Sequence, residues 1–442
     1  MAEGYFSARA LACGSVSKID LSRRDSCGRR VVAARDVKRG EVVLKSEAEP
    51  IPVLHVHLWD RFCGACLFGK ARFRCTRCKI QRYCSRACQK RAWKKGHRKE
   101  CDVLSAYFCS GNTPGLDVAL LSDALLLGRT VQRMRSCGEF RETVLGMVHS
   151  SHSRDLVEEA REISRFATSS GLVVVDGIDE PFDLEKILLR FRCNNFAVVN
   201  HLFVSTASAI FPAGAMLNHS CEPSCIPTYR IVAGSRIEQQ FRAARDIRAG
   251  EELTHPYVDI AWLTSARNEH LERFYGFRCT CRYCTGKHAL RKSLEDNISS
   301  CRSGGAHEHA LSEASDIFNA AERADSPRKE LELYELCLEK RSKCLQPEDP
   351  IMIQTASRAF DAALCCSDTA SMLSHSKTLA GVYERVYGRT HPLSGLKYYT
   401  LGDCLSRASK QAEAIEAWAI AADILAATHG KDANITQSVP GQ

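Results

Sequence analysis

Eight side chains able to ligate a metal crowd into one short stretch: Cys63, Cys66, Cys75, Cys78, Cys84, Cys88, His97 and Cys101, spaced C-x2-C-x8-C-x2-C-x5-C-x3-C-x8-H-x3-C. A C-x2-C turn puts two sulfurs on one ion, and a helical x3 pair puts two ligands on one face, so four pairs make two closed tetrahedral sites. Interleaving the pairs, first with third and second with fourth, is the expected cross-brace: Cys63, Cys66, Cys84 and Cys88 on one zinc, Cys75, Cys78, His97 and Cys101 on another. The stretch has too few large apolar residues for a core of its own, so metal binding should supply its folding free energy. Far downstream, Cys279, Cys281 and Cys284 leave a third site one ligand short, and Cys221, in Asn218-His219-Ser220-Cys221, is the natural fourth. A zinc there would clamp the chain after Phe274 back onto the Asn218 segment and enclose a pocket.

The elements that must hold these groups alternate in kind. Arg30–Ala34 and Val42–Leu44 read as short strands around a turn at Lys38-Arg39-Gly40. From Asp102 to Leu189 the pattern is helical, with Leu120, Leu121, Ala124, Leu125 and Arg129 at helix-like intervals. Short strands and loops return over 190–260, including Arg230-Ile231-Val232 and Gln239–Ala243. The polar stretch Lys287–Gly305 reads as a linker, and the chain beyond it as mostly helix, with Thr390-His391 and Thr428-His429 hinting at hairpin repetition. Cys337, Cys344, Cys365 and Cys366 read as buried packing residues without chemistry.

Composition narrows the class. The 442 residues, 45% hydrophobic and 26% charged with only 13 prolines and 27 glycines, exclude a disordered or collagen-like chain. At about 100–200 residues per domain they predict two to four units. The longest apolar run, Leu116–Leu127, is broken by Asp117 and Asp123 and falls short of the roughly 20 residues of a membrane span. Met1–Arg24, with Glu3 and Asp20, lacks a signal-peptide layout, so cytoplasmic and/or nuclear residence is expected. In a reducing compartment the 23 cysteines are free to bind metal rather than pair. Of the formal charge of +9, the stretch from Arg61 to Cys101 carries 14 Lys/Arg against Glu100, or +13, which leaves 9 − 13 = −4 for the rest. The basic residues Arg86, Lys90, Arg91, Lys94 and Lys95 are either a solvated face or a surface for weak non-specific nucleic-acid contact.

Tyr83-Cys84-Ser85, Gln89-Lys90, Ala92-Trp93 and His97-Arg98-Lys99-Glu100-Cys101 resemble the MYND zinc finger, whose members bind peptides, often proline-rich. Asn218-His219-Ser220-Cys221, Gly250-Glu251-Glu252-Leu253 leading to Tyr257, and the cysteine tail resemble a SET methyltransferase core with its post-SET zinc, and Gly28–Leu44 resembles the SET opening strands. A SET core interrupted by a MYND finger is the arrangement of the SMYD family of lysine methyltransferases. Val382–Tyr387, His391-Pro392 and Ala412–Gly430 resemble that family's helical, tetratricopeptide-like tail, especially in plant-type members. The resemblance implies an α+β fold: SET N-terminal part 17–62, finger 63–101, inserted helical region 102–189, SET core with its pseudoknot 190–260, post-SET zinc tail 261–285, and an all-α C-terminal domain 286–442. It implies S-adenosylmethionine and three structural Zn2+ ions as cofactors, and Tyr257 as the catalytic residue. Cofactor contacts would come from Gly28, Arg29, His149, Asn194, Asn218, His219, Tyr257 and Phe277. The implied partners are a lysine-containing protein or peptide substrate, with peptide partners for the finger and helical tail, no membrane, and a monomeric chain.

The implied chemistry needs no strong nucleophile, because a sulfonium-borne methyl is already activated and the protein must mainly align a neutral amine with it. Lysine, with a reference pKa of about 10.4, must lose its proton first, which a narrow desolvated channel favours. Two departures stand out. Gly28-Arg29-Arg30 lacks the second glycine of the usual Gly-x-Gly opening, and Pro256 removes a backbone donor directly before Tyr257. They motivate a rival reading as a catalytically decayed interaction scaffold; a DNA-binding finger would rest only on the basic stretch.

Overall fold

The computed structural model describes residues 17–20, 30–109, 116–149, 153–174, 183–232, 236–302 and 305–441. Strands β1 (Ser17–Asp20) and β2 (Arg30–Ala33) pair antiparallel, followed by β3 (Val42–Glu47) and β4 (Val53–Leu54). In β2 burial alternates, so Val31 and Ala33 face a core completed by Val43, Leu44, Phe241, Ile247 and Leu253. The finger comes next: a small hairpin of β5 (Phe73–Arg74) and β6 (Arg82–Tyr83), then α1 (Arg86–Ala92). Ser85 caps α1 by accepting from the Cys88 N–H, and a π-type turn with a kink at Gly96 leads into α2 (Arg98–Cys109).

The predicted helical region comprises α3 (Val118–Ser136), α4 (Gly138–Leu145), α5 (Arg154–Ser169) and α6 (Leu184–Asn194). The apolar run beginning at Leu116 becomes a core helix, capped by Asp117, with Leu121, Leu125, Leu126 and Leu127 fully buried. Among the described residues no helix is long and apolar enough to cross a membrane. Strands β7 (Asn195–Val199) and β8 (Ser205–Ile210) join β4 in one three-stranded sheet. The short β9 (Asn218–His219) precedes β10 (Cys225–Val232) and β11 (Arg236–Ala243); β10, β11 and β3 form the second. Finally β12 (Thr254–His255) runs parallel to β9, pairing Thr254 with Asn218 and His255 with His219.

Helix α7 (Thr264–Tyr275) ends at Gly276, whose left-handed φ of 75° turns the chain toward Cys279. The expected linker is instead largely a helix, α8 (Ala289–Arg302). Polarity misled because the residues that look solvated are paired: Arg291 is buried, donating to the Trp262 carbonyl and to Glu295 one turn on. The tail is an array of α9 (Gly305–Ala321), α10 (Pro327–Ser342), α11 (Pro350–Cys365), α12 (Thr369–Tyr387), α13 (Pro392–Arg407), α14 (Gln411–His429) and the short α15 (Asn434–Gln437). From α9 to α15 each helix packs on its sequence neighbours. Its repetition is real but lies elsewhere than expected. Thr390-His391 opens α13 whereas Thr428-His429 closes α14, so the two pairs are not equivalent. The matching features are Pro350 and Pro392 at first helical positions, capped by Asp349 and His391. Cys337 and Cys344 pack inside as expected and Cys366 partly so, but Cys365 is exposed.

The array docks on the SET-type sheet through α14, where Gly40 (φ 86°) approaches Ala427 so closely that a Cβ would stand 3.2 Å from its Cα. Arg39 pairs with Asp423 at 3.0 Å, and Arg242 donates to the Gly40 carbonyl.

Candidate active site and metal clusters

The finger gathers its ligands into the two expected sets, with each set's donor atoms all within 4.8 Å of one another. Sulfur–sulfur distances are 3.7 Å for Cys66–Cys84, 3.4 Å for Cys84–Cys88 and 3.9 Å for Cys75–Cys101, and Cys78 Sγ lies 3.6 Å from His97 Nε2. A zinc tetrahedron with bonds of about 2.3 Å has edges of about 3.8 Å, so these residues fit the ion without rearrangement. Their surroundings fit too. Arg91 donates to Cys88 Sγ at 3.0 Å, and Glu100, 3.9 Å from His97 Nδ1, is itself held by Arg129. Arg91 thereby orients Cys88 and balances thiolate charge, whereas Glu100 stands beyond hydrogen-bond reach of His97 Nδ1. Burial holds His97 below the usual imidazole range, in the neutral form a ligand needs.

The third set, Cys221, Cys279, Cys281 and Cys284, assembles as the fourth-ligand argument requires. Cys221 Sγ lies 3.5 Å from Cys284 Sγ and 4.0 Å from Cys279 Sγ. The Cys279 N–H donates to Asn268 of α7, and the fully buried Arg267 sends Nη2 to Cys284 Sγ at 3.6 Å and Nη1 to Glu295 at 3.1 Å. A four-thiolate zinc site carries net negative charge, and Arg267 is the buried cation beside it.

Because β9 lies against β12, Asn218 and His219 stand beside Tyr257. The Tyr257 hydroxyl donates to the Leu217 carbonyl at 2.7 Å, its backbone N–H to His219 Nδ1 at 2.9 Å, and Asn218 Nδ2 to Glu252 at 2.9 Å. Tyr257 is thus tied at both ends despite Pro256. Its ring lies 5.3 Å from His219, 4.9 Å from Tyr275 and 6.4 Å from Phe277. Burial pushes the Tyr257 hydroxyl well above the ordinary phenol range and that of Tyr275 up to about 12, so both stay protonated.

Tyr257 and Tyr275 open on a cleft of about 530 Å³ whose walls also include Asn194, Phe196, Asp259 and, from the helical array, Tyr387; Asn218, His219 and Phe277 stand beside Tyr257 but do not line it. The Tyr387 hydroxyl donates to Asp259 at 2.8 Å. Asn194 donates to the Val148 and Arg190 carbonyls, which ties His149 nearby; that ring is partly buried, with Nδ1 unpaired, and does not line the cleft. Gly28 and Arg29 lie outside the described residues; Arg30 opens β2, half-buried.

Of the cleft's walls, sequence reasoning named only Asn194 and Tyr257 as site residues; among those it missed are Phe196, Tyr275 and Tyr387. Phe196 lies two positions after the candidate Asn194 and Tyr275 two before the candidate Phe277, so proximity in sequence was a usable signal. Tyr387 had none, since only docking of the array brings it there.

A family description, SET domain, matches residues 28–258, more than half of the chain. The chain belongs to the SET-domain family, and it is similar to several SMYD proteins along most of its length. It is 28% identical over 417 residues to the N-lysine methyltransferase SMYD2-B of Danio rerio, covering 92% of this chain and 93% of that one. It is 25% identical to the histone-lysine N-methyltransferase SMYD3 of Mus musculus, covering 85% and 86%. To the histone-lysine N-methyltransferase ASHR1 of Arabidopsis thaliana it is 26% identical, covering 93% and 92%.

Proposed function

We propose that this protein is an S-adenosylmethionine-dependent protein-lysine N-methyltransferase. The observation that carries the reading is Tyr257, buried beside the Asn218-His219 strand at the wall of an aromatic cleft, with both its amide and hydroxyl held. The names of the relatives support the same activity. The cross-braced cluster corresponds to a MYND finger (63–101), the Cys221 cluster to a post-SET zinc tail (261–285), and the helical array to a tetratricopeptide-like domain (286–442).

The chain's own groups fit the cofactor. Phe277 offers a ring 36% exposed and 6.0 Å from His219, and the unpaired His149 Nδ1 is a free polar atom near Asn194. Asn218 and His219 would hold the amino-acid end and adenine, with Asn194 and His149 as further contacts; the resemblance adds Gly28 and Arg29, which lie outside the described residues. When bound, S-adenosylmethionine supplies an activated methyl on a sulfonium. Phe196, Tyr257 and Tyr275 exclude water from the amine, which lowers the cost of its neutral form. The phenolic proton of Tyr257 is committed to the Leu217 carbonyl, so its oxygen lone pairs accept an amine N–H and point the nitrogen lone pair along one line. The substrate is a lysine-containing protein or peptide lying between the SET-type core and the helical array.

Tyr257→Phe is expected to lower methyl transfer to a protein pool by roughly 10²–10³-fold, the range for losing one oriented polar group in a desolvated site, with cofactor affinity retained. Unchanged transfer in that variant, or wild-type protein that binds cofactor yet methylates no lysine, overturns the reading. The scaffold alternative predicts no cofactor binding, and calorimetry with S-adenosylmethionine separates the two.

A further inference from the structure

His219 makes two hydrogen bonds that point in opposite directions. Its Nδ1 receives the backbone N–H of Tyr257 at 2.9 Å, so Nδ1 bears no proton. The ring proton therefore sits on Nε2, which lies 3.2 Å from Cys221 Sγ. Cys221 is one of the four sulfurs of the third cluster, and a metal-bound thiolate can only accept. The Tyr257 end sets the tautomer, with the nitrogen lone pair facing the Tyr257 amide, and the Nε2–H this leaves faces sulfur on the other side. The register of β9 with β12 holds this bridge in place, because His219 pairs with His255 and the Ser220 N–H donates to the His255 carbonyl. Pro256, the residue between His255 and Tyr257, has no N–H, so Tyr257 is the first residue after β12 with an amide to offer, and it offers it to a side chain.

We propose that His219 is a positioning residue that couples the Cys221 metal cluster to Tyr257, so that the seating of the metal sets the place of the tyrosine in the cleft. An outer-sphere histidine ordinarily orients a ligand; here the same ring also orients a residue of the aromatic cleft. Among the described residues the finger's clusters lead elsewhere: Arg91 ends on Cys88, and Glu100 is held by Arg129, which donates on to the Ile51 and Pro52 carbonyls rather than to the aromatic cleft. The proposal rests on the methyltransferase reading for the role of Tyr257, but the coupling is measurable without any activity.

The test uses full-length protein labelled with 15N-tyrosine, in which the Tyr257 amide is assigned by its loss in Tyr257→Phe. Exchange of zinc for the larger cadmium ion is expected to shift the Tyr257 amide in the wild type. His219→Asn keeps an acceptor for the amide but cannot also reach Cys221, so its Tyr257 amide should remain hydrogen-bonded and stop responding to the metal. His219→Phe should lose both bonds. In both variants the affinity of the third site for zinc is expected to fall by roughly 10–100-fold, the usual loss for an outer-sphere partner. A Tyr257 amide that responds to cadmium in His219→Asn as it does in the wild type overturns the coupling while leaving the enzymatic reading intact. Lack of methyl transfer by wild-type protein with the amide response present overturns the enzymatic reading instead.

Discussion

The finger and the Cys221 cluster use the same chemistry for different ends. In the finger the ligands are close in sequence and are themselves most of the core: Cys63, Cys66, Cys75, Cys78, Cys88 and Cys101 pack with Tyr83 and Ala92 and little else. The Cys221 cluster joins distant segments and sits in an aromatic and aliphatic surround of Val258, Ile260 and Leu271, with Tyr257 and Tyr275 packed against it. The first metal pair folds its own module; the third metal closes a site made by the rest of the chain. The consequence of losing an ion should therefore depend on where its ligands come from rather than on how many there are.

The largest expected effect separates the two regions directly. Cys281→Ser should cost one zinc and abolish methyl transfer, whereas Cys66→Ser should disorder residues 63–101 and leave transfer within about tenfold of wild type, since the apparent folding free energy a structural zinc supplies is spent locally there. Metal content by mass spectrometry with hydrogen exchange over both regions checks this, and equal loss of activity in the two variants breaks the comparison. Next in size is Arg267. With its guanidinium buried against Cys284 and Glu295, Arg267→Leu should destabilise the third cluster's surround by about 3–5 kcal/mol, the usual cost of unpairing buried charge, while Arg91→Leu on the partly exposed finger site should cost far less. Denaturant midpoints for the two variants measure the gap.

A single buried histidine has a smaller effect, seen in acid. Burial, with His219 nearby, pushes His255 down to about 3, and burial pushes His391 to about 3 and His429 to about 4. Unfolded imidazoles titrate near 6.5, so below that pH the unfolded chain binds more protons than the native one. Their contribution is whole above about pH 6.5 and declines as pH falls toward 3–4, by about 1.4 kcal/mol per pH unit for each group fully within the window. His391→Gln should flatten the dependence of thermal midpoint on pH between 6.5 and 4.5, and an unaltered slope counts against the burial of that ring as its cause.

Cys221 was legible only because Cys279, Cys281 and Cys284 leave a tetrahedral site one ligand short, whereas the finger's ligand pairs were legible because C-x2-C and helical x3 pairs bring donors together through local backbone geometry. The strands Arg30–Ala33 and Val42–Glu47 and the helices beyond Asp102 were legible for the same reason, since period and burial are properties of short segments. Reading polarity as solvation failed at α8, where Arg291 and Glu295 are polar residues satisfied by tertiary partners. The repeat was placed on the wrong dipeptide because Thr-His can open a helix or close one, and only the helix ends distinguish the two. Residue identity and spacing alone determined which side chains can ligate metal and which tyrosine comes after the Gly250-Glu251-Glu252-Leu253 turn. Only the tertiary structure decided that His219 faces both Cys221 and Tyr257, that Arg267 is the buried cation beside the thiolates, and that Tyr387 from the helical array meets Asp259 at the cleft. Those contacts join residues far apart in the chain, and no local pattern encodes a partner whose position depends on how whole domains pack.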